Sequence, residues 1–172
     1  MAFAPDADQN PTPGAITYLY HRFAAAGNRD NETNANVYDT LLGFRGTIGE
    51  NIDVDAGVRY NTYRYDEFGR NYIVGSLAEQ AINNGSYNIY NPGATSQAVL
   101  NSIKATITRN STFTTKEAYG SVTFNDLFEL GGGAAGLVIG TEYRKEDYAD
   151  IYDSLSSSGV ILGSSGASSG GS

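Results

Sequence analysis

Cysteine and tryptophan are absent from this 172-residue chain, which holds one histidine, one methionine and four prolines. Without cysteine there is no disulfide, no thiol nucleophile and no zinc–thiolate centre. The lone histidine, His21, has no Ser/His/acid grouping around it in the sequence. No catalytic residue is identified, no cofactor is implied, and the chain does not read as an enzyme. Basic residues are also few: 11 Lys and Arg stand against 19 Asp and Glu, a formal net charge of −8. Phosphate recognition needs a basic face, so nucleic acid is excluded as an expected partner. No run approaches the roughly 18 consecutive apolar residues of a membrane helix. Residues 1–6 have neither a basic n-region nor an apolar h-region and do not form a signal peptide. For an exported protein this leads to the expectation that the natural N-terminus lies elsewhere.

What is present is glycine (21 residues) and tyrosine (13, against 7 phenylalanines), in stretches of period-two hydropathy that mark strands. Ile52, Val54, Ala56, Val58 and Tyr60 alternate with Asp53, Asp55, Gly57, Arg59 and Asn61. Before them, Tyr38, Leu42, Phe44 and Ile48 oppose Asp39, Gly43, Arg45 and Thr47. Gly49-Glu50-Asn51 between the two runs is a tight-turn sequence. A second pair follows. Ala118, Gly120, Val122 and Phe124 oppose Glu117, Tyr119, Ser121 and Thr123. Ala135, Leu137, Ile139 and Tyr143 oppose Gly136, Gly140, Glu142, Arg144 and Glu146. Gly131-Gly132-Gly133 lies in their connection. A weaker strand is expected over 15–23. The fold class is all-β: an antiparallel up-and-down meander of about five strands, each of roughly ten residues or more, longer than those of ordinary globular sheets.

The connections alternate in length. Those at Gly49 and Gly132 are short, that over 66–114 is very long, and that over 24–36 is intermediate. This divides the chain into an N-terminal loop (1–14), a sheet segment (15–153) and a Ser/Gly-rich loop (154–172). Short turns on one side and long loops on the other are the pattern of an outer-membrane barrel. Inside the long connection, residues 77–82 and 96–105 have helical spacing, with Asn91-Pro92-Gly93 as punctuation between them.

In a soluble sheet the apolar face packs on a core; in a membrane barrel it meets lipid and the polar face lines a wet lumen. Strand length favours the barrel, since a tilted membrane strand needs about nine to eleven residues. So does the gathering of Tyr18, Tyr20, Tyr60, Tyr63, Tyr65, Tyr143, Tyr148 and Tyr152 towards the loop-ward strand ends, where an aromatic girdle would lie. The mixed charges Asp53, Asp55, Arg59, Glu117, Glu142 and Arg144 suit a lumen with ion pairs between neighbouring strands.

Several segments, in order, resemble TonB-dependent outer-membrane receptors. They are Arg22-Phe23-Ala24-Ala25-Ala26-Gly27-Asn28-Arg29, Gly43-Phe44-Arg45-Gly46 and Gly85-Ser86-Tyr87-Asn88-Ile89-Tyr90-Asn91-Pro92. Further on come Leu130-Gly131-Gly132-Gly133, Gly140-Thr141-Glu142-Tyr143-Arg144-Lys145-Glu146 and the Ser/Gly run 163–170. The resemblance covers roughly 150 residues. It implies a parent in the bacterial outer membrane, with a plug domain inside a barrel of roughly 22 strands. Such a receptor takes up a scarce solute (siderophore-bound iron, cobalamin or carbohydrate). Its implied partners are outer-membrane lipid, the small solute or metal chelate, and the TonB complex acting through the plug. No plug is seen here, the C-terminal residue is not aromatic, and five strands cannot close such a barrel, so a fragment of the receptor is expected. A passive outer-membrane channel and a soluble secreted β-domain are the alternatives. Arg70, Tyr72, Tyr87 and Tyr90, in the long connection, are the expected ligand-facing residues, since arginine and aromatics anchor binding surfaces.

Other patterns carry less. Gly131-x-Gly133-x-x-Gly136 matches a dinucleotide fingerprint but is followed by a strand pattern where a helix is needed. Asp53-x-Asp55 resembles the opening of a calcium loop but lies within a strand and lacks the later glutamate. The glycosylation-type triplets at Asn31, Asn84 and Asn110 are read as accidental matches.

Overall fold

The structure is a computed structural model that describes residues 20–172. The N-terminal loop (1–14), Tyr18 and residues 15–19 of the expected first strand lie outside the described residues. Strands make up 61% of the described residues and helices 16%, so the fold is all-β. Four long strands, β1 (Asp30–Ile48), β2 (Ile52–Ile73), β3 (Lys104–Leu130) and β4 (Gly133–Tyr152), and a short fifth, β5 (Ser169–Gly171), form one sheet in the order β1-β2-β3-β4-β5. The sheet is antiparallel and open. Among the described residues, β1 has a strand partner on one side only.

The described meander has five strands, of which the last, β5, is not among those expected. Residues 20–23 are not strand, and Ala24–Ala26 form a 3-10 turn. Three small alanines followed by Gly27 at φ +100° let the chain turn tightly there. The additional strand is β5, where Tyr148, Ala149 and Asp150 of β4 pair with Gly171, Gly170 and Ser169. Serine and glycine are poor strand formers, but main-chain pairing needs no side chain. A Cβ at Gly171 would come within 2.9 Å of the Tyr148 ring, so the missing side chain is what lets β5 approach.

The long strands also run further than alternation marks. β1 begins at Asp30, and β2 and β3 extend to Ile73 and from Lys104, which leaves 74–103 as the long connection. The added stretch of β1 is polar on both faces, and a strand wet on both sides loses the period-two signal. Those of β2 and β3 mix polar residues with Tyr72, Ile73 and Ile107, which are buried. Both tight turns fall at the expected glycines: Gly49 has φ +66° and Gly133 φ +125°. The two helices of the connection are α1 (Gly75–Asn83) and α2 (Gln97–Ser102), with a 3-10 turn at Pro92–Ala94 between them. α2 starts where Ser96 Oγ accepts from Val99 N and stops at Ser102, where the β-branched Thr106, Ile107 and Thr108 favour strand. A single turn, α3 (Ser154–Ser157), follows β4. No helix of the described residues is long and apolar enough to cross a membrane.

Two compact units are distinguished. One comprises residues 33–67, 109–151 and 168–172 and is purely sheet. Its described residues include no buried apolar side chain. Leu42, Phe44, Val58, Val138, Ile139 and Tyr143 are all more than half exposed. The other unit comprises residues up to Glu32, 68–108 and 152–167. It holds every buried apolar residue described, in two clusters. One joins Ala26, Ile73, Ala78, Ala81, Tyr87, Leu100 and Ile103; the other joins Tyr72, Val74, Ile107 and Ile161. Helices α1 and α2 contribute to the first cluster, burying Ala78 and Ala81 from one and Leu100 from the other.

Candidate functional sites on the polar face and in the long connection

In the sheet unit the charged side chains of the polar face meet across strands. Arg45 of β1 donates from Nε to Asp55 Oδ2 of β2 at 2.9 Å. Two positions closer to the turn on each strand, Thr47 donates to Asp53 at 2.7 Å, the stepwise closing of an antiparallel hairpin. Asp53 also accepts from Asn125 of β3 at 2.7 Å and so links three strands. Arg59 forms a two-pronged pair with Asp39, at 3.0 and 2.5 Å. Arg144 of β4 reaches Glu117 of β3 at 3.1 Å and Glu142 on its own strand at 2.8 Å. All six expected charged residues of this face, Asp53, Asp55, Arg59, Glu117, Glu142 and Arg144, therefore join cross-strand networks. These pairs are half-exposed, and such pairs are worth about 0–1 kcal/mol each in water.

Tyr119 lies flat across this face. A Cβ at Gly57 would fall 2.7 Å from its ring, and one at Gly43 would be 3.4 Å from its hydroxyl. Glycines on two neighbouring strands thus make the bed for one tyrosine. The dinucleotide-like glycines open a strand, β4, and both aspartates of the calcium-like pair are engaged within β2 as described.

In the other unit the four residues expected to face ligand are separated. Arg70 is held by Asp30 at 3.5 Å and Glu32 at 2.9 Å, both on β1. Tyr72 is 7% exposed, belongs to the second core cluster and donates its hydroxyl to Asn31 Oδ1 at 2.9 Å. Tyr87, 2% exposed, belongs to the first cluster, and its hydroxyl is hydrogen-bonded to His21 Nε2 at 2.7 Å. Burial pushes the Tyr87 phenol above its ordinary value. Tyr90 is 82% exposed, on a turn whose backbone N–H groups at Tyr90 and Asn91 both donate to Asn88 Oδ1.

A cleft of about 510 Å3 in the same unit is lined by residues outside that expected set. His21, Arg22 and Phe23 form one side, with Gly27, Asn28 and Arg29 further along and Asn71 from β2. Arg29 lies over the Tyr72 ring, 4.8 Å from its centroid, and donates to the Leu162 carbonyl. Asn71, two residues before the end of β2, has φ +59°, a left-handed backbone, and its Nδ2 donates to the Asn28 carbonyl at 2.9 Å. Arg22 and Arg29 are near neighbours in the sequence, but nothing in it says that Asn71, more than 40 positions on, shares a wall with them.

Asp153 anchors the turn after β4. It accepts from the backbone N–H groups of Thr108, Leu155 and Ser156 at 2.9–3.0 Å, and from Ser156 Oγ at 2.8 Å. Burial alone would raise its carboxyl pKa, but these donors outweigh burial and hold it below the usual carboxylate range.

The fold and its faces define an all-β protein: an open antiparallel meander with one charged, ion-paired face and one apolar face. No protein family matches the chain, and no curated protein or solved structure is similar to it.

Proposed function

We propose that the chain is a segment of a bacterial outer-membrane barrel of the TonB-dependent receptor kind, which takes up a scarce solute in an energised way and has no enzymatic site. The observation that carries this reading is the sheet unit without a core. Strands of 19 to 27 residues expose most of their apolar side chains on one face and pair their charges on the other. A sheet so built is unstable in water, because its apolar face offers no burial to offset the cost of ordering the chain. In a bilayer that face needs no protein partner, and the polar face lines a wet interior. An open sheet edge within a membrane must be closed by further strands, so the barrel is completed by strands beyond these five. The strand share also fits, since ordinary globular domains hold roughly 20–25% strand.

The proposed topology puts the long connection 74–103 outside the cell and the tight turns at Gly49 and Gly132 in the periplasm. A chain free of cysteine makes this directly testable. In intact cells a membrane-impermeant maleimide should label Tyr90→Cys and leave Glu50→Cys untouched, and breaching the outer membrane should expose both. Equal labelling of the two in intact cells would refute the topology. Energised import is tested separately, by loss of solute uptake on deleting the gene or on collapsing the inner-membrane proton gradient.

A further inference from the structure

Eight arginines occur in the chain, and five of them are neutralised by carboxylates: Arg45, Arg59, Arg70, Arg109 and Arg144. Among the described residues, Arg22, Arg29 and Arg64 have no carboxylate at ion-pair distance. Two of these three, Arg22 and Arg29, line the same cleft. That is a notable concentration in a chain of net charge −8, where carboxylates are plentiful. The acidic residues next in sequence, Asp30 and Glu32, are both engaged by Arg70 and so do not quench Arg29.

The cleft is also built to hold its shape. Arg29 is fixed by its bond to the Leu162 carbonyl and by the Tyr72 ring beneath it, so little rotamer freedom is left to lose on binding. Asn71 keeps a left-handed backbone that asparagine tolerates better than most side chains. Its amide is packed against Gly27, where a Cβ would sit 3.3 Å from Asn71 Nδ2. Such backbone conformations gather at ligand clamps. His21 completes the wall, its ring edge-on to Phe23 with centroids 4.9 Å apart and hydrogen-bonded to Tyr87.

We infer that this cleft is an anion-binding site, and that its ligand is a small soluble molecule bearing carboxylate or phosphate groups, held by the guanidinium groups of Arg22 and Arg29. Two planar forks with unspent donors match the paired oxygens of those groups, which neutral sugars lack. This names the class of solute within the receptor reading and rests on that reading only for the solute's fate, not for binding.

His21 is the only histidine, so selective 13C labelling gives one imidazole signal from the cleft of the full chain in lipid nanodiscs. Citrate and inorganic phosphate are the probes, titrated separately, with maltose as the neutral control. A saturable shift with either anion and none with maltose is expected, and which anion binds distinguishes carboxylate from phosphate preference. Arg22→Gln should weaken binding about ten-fold or more, the worth of one charge-assisted contact. Arg64→Gln, also unpaired but outside the cleft, should leave binding unchanged. Arg29→Gln removes a support of the cleft itself, so the exposed Arg22 carries the test. The site is refuted by the absence of a shift with both anions, by an equal shift with maltose, or by equal weakening from Arg22→Gln and Arg64→Gln. A normal titration with no energised uptake in cells would remove the transport reading and leave the anion site standing.

Discussion

Val58 and Asn61 stand three positions apart on β2 and face opposite ways. Val58 is 53% exposed on the apolar face, while Asn61, two positions after Arg59 on β2, lies on the charged one. If the apolar face meets lipid, the two positions differ sharply in their tolerance of charge. Val58→Arg should impair assembly into the outer membrane by roughly 2–4 kcal/mol, the range for arginine at mid-bilayer, and Asn61→Arg should cost little. Urea titration of the refolded protein in vesicles measures both, and equal losses would defeat the assignment of faces. Glycine acts at the same scale. Gly57 and Gly43 are occupied by their absence of side chain, since Tyr119 fills the space a Cβ would need. The period-two pattern places Gly57 and Tyr119 on the polar face, but their contact across strands depends on register, and register is a property of pairing.

Among the elements, the turn after β4 shows how one carboxylate fixes several backbone groups. Asp153 begins α3 and bonds to Thr108 at the start of β3. Its depressed pKa gives the sign of a pH effect. The folded carboxyl binds its proton less readily than the unfolded one, so its stabilisation is fully present above the ordinary aspartate pKa. That stabilisation is lost as pH falls through the lower folded value. Asp153→Asn keeps a competent cap but abolishes the titration, whereas Asp153→Ala loses both and should cost about 0.5–2 kcal/mol. Amide-exchange protection at Leu155 and Ser156, corrected for intrinsic rates, should fall on acidification in the parent and stay level in the Asn variant. A parent that shows no acid dependence would overturn the role given to Asp153. Of the elements, the hairpins and the two helices of the long connection are legible as patterns, because hydropathy repeats with the period of the backbone. β5 and the polar start of β1 are not, because they are held by main-chain pairing, which leaves no mark on side-chain composition. The end of β2 and the start of β3 are not either, because their buried residues, Tyr72, Ile73 and Ile107, do not alternate along a full strand.

For the whole molecule, the distribution of burial matters most. Every buried apolar residue described lies in the unit formed by residues up to Glu32, 68–108 and 152–167, and none lies in the sheet unit. A water-soluble sheet domain would show the reverse, with its apolar face packed away. The chain is therefore expected to give a stable strand signature by circular dichroism in lipid vesicles and to aggregate from denaturant into plain buffer, where open apolar strands invite edge pairing. A monodisperse, strand-rich chain in buffer without lipid or detergent would favour a secreted β-domain and remove the membrane reading.

The sequence by itself determined the class and the two faces. Period-two alternation fixes which side chains share a side, the glycine turns fix where the chain reverses, and the missing cysteine and scarce basic residues exclude whole classes of chemistry. It also placed Asp53, Asp55, Arg59, Glu117, Glu142 and Arg144 on one face. Tertiary structure alone decided which of these pair. It also sent Tyr72 and Tyr87 into cores while leaving Tyr90 exposed, and it set Arg22 and Arg29 beside Asn71 around one cleft. The physical reason is range: alternation is written into neighbours along the chain, whereas a cleft is made by residues brought together from distant stretches, whose meeting depends on strand register and on how the long connection packs.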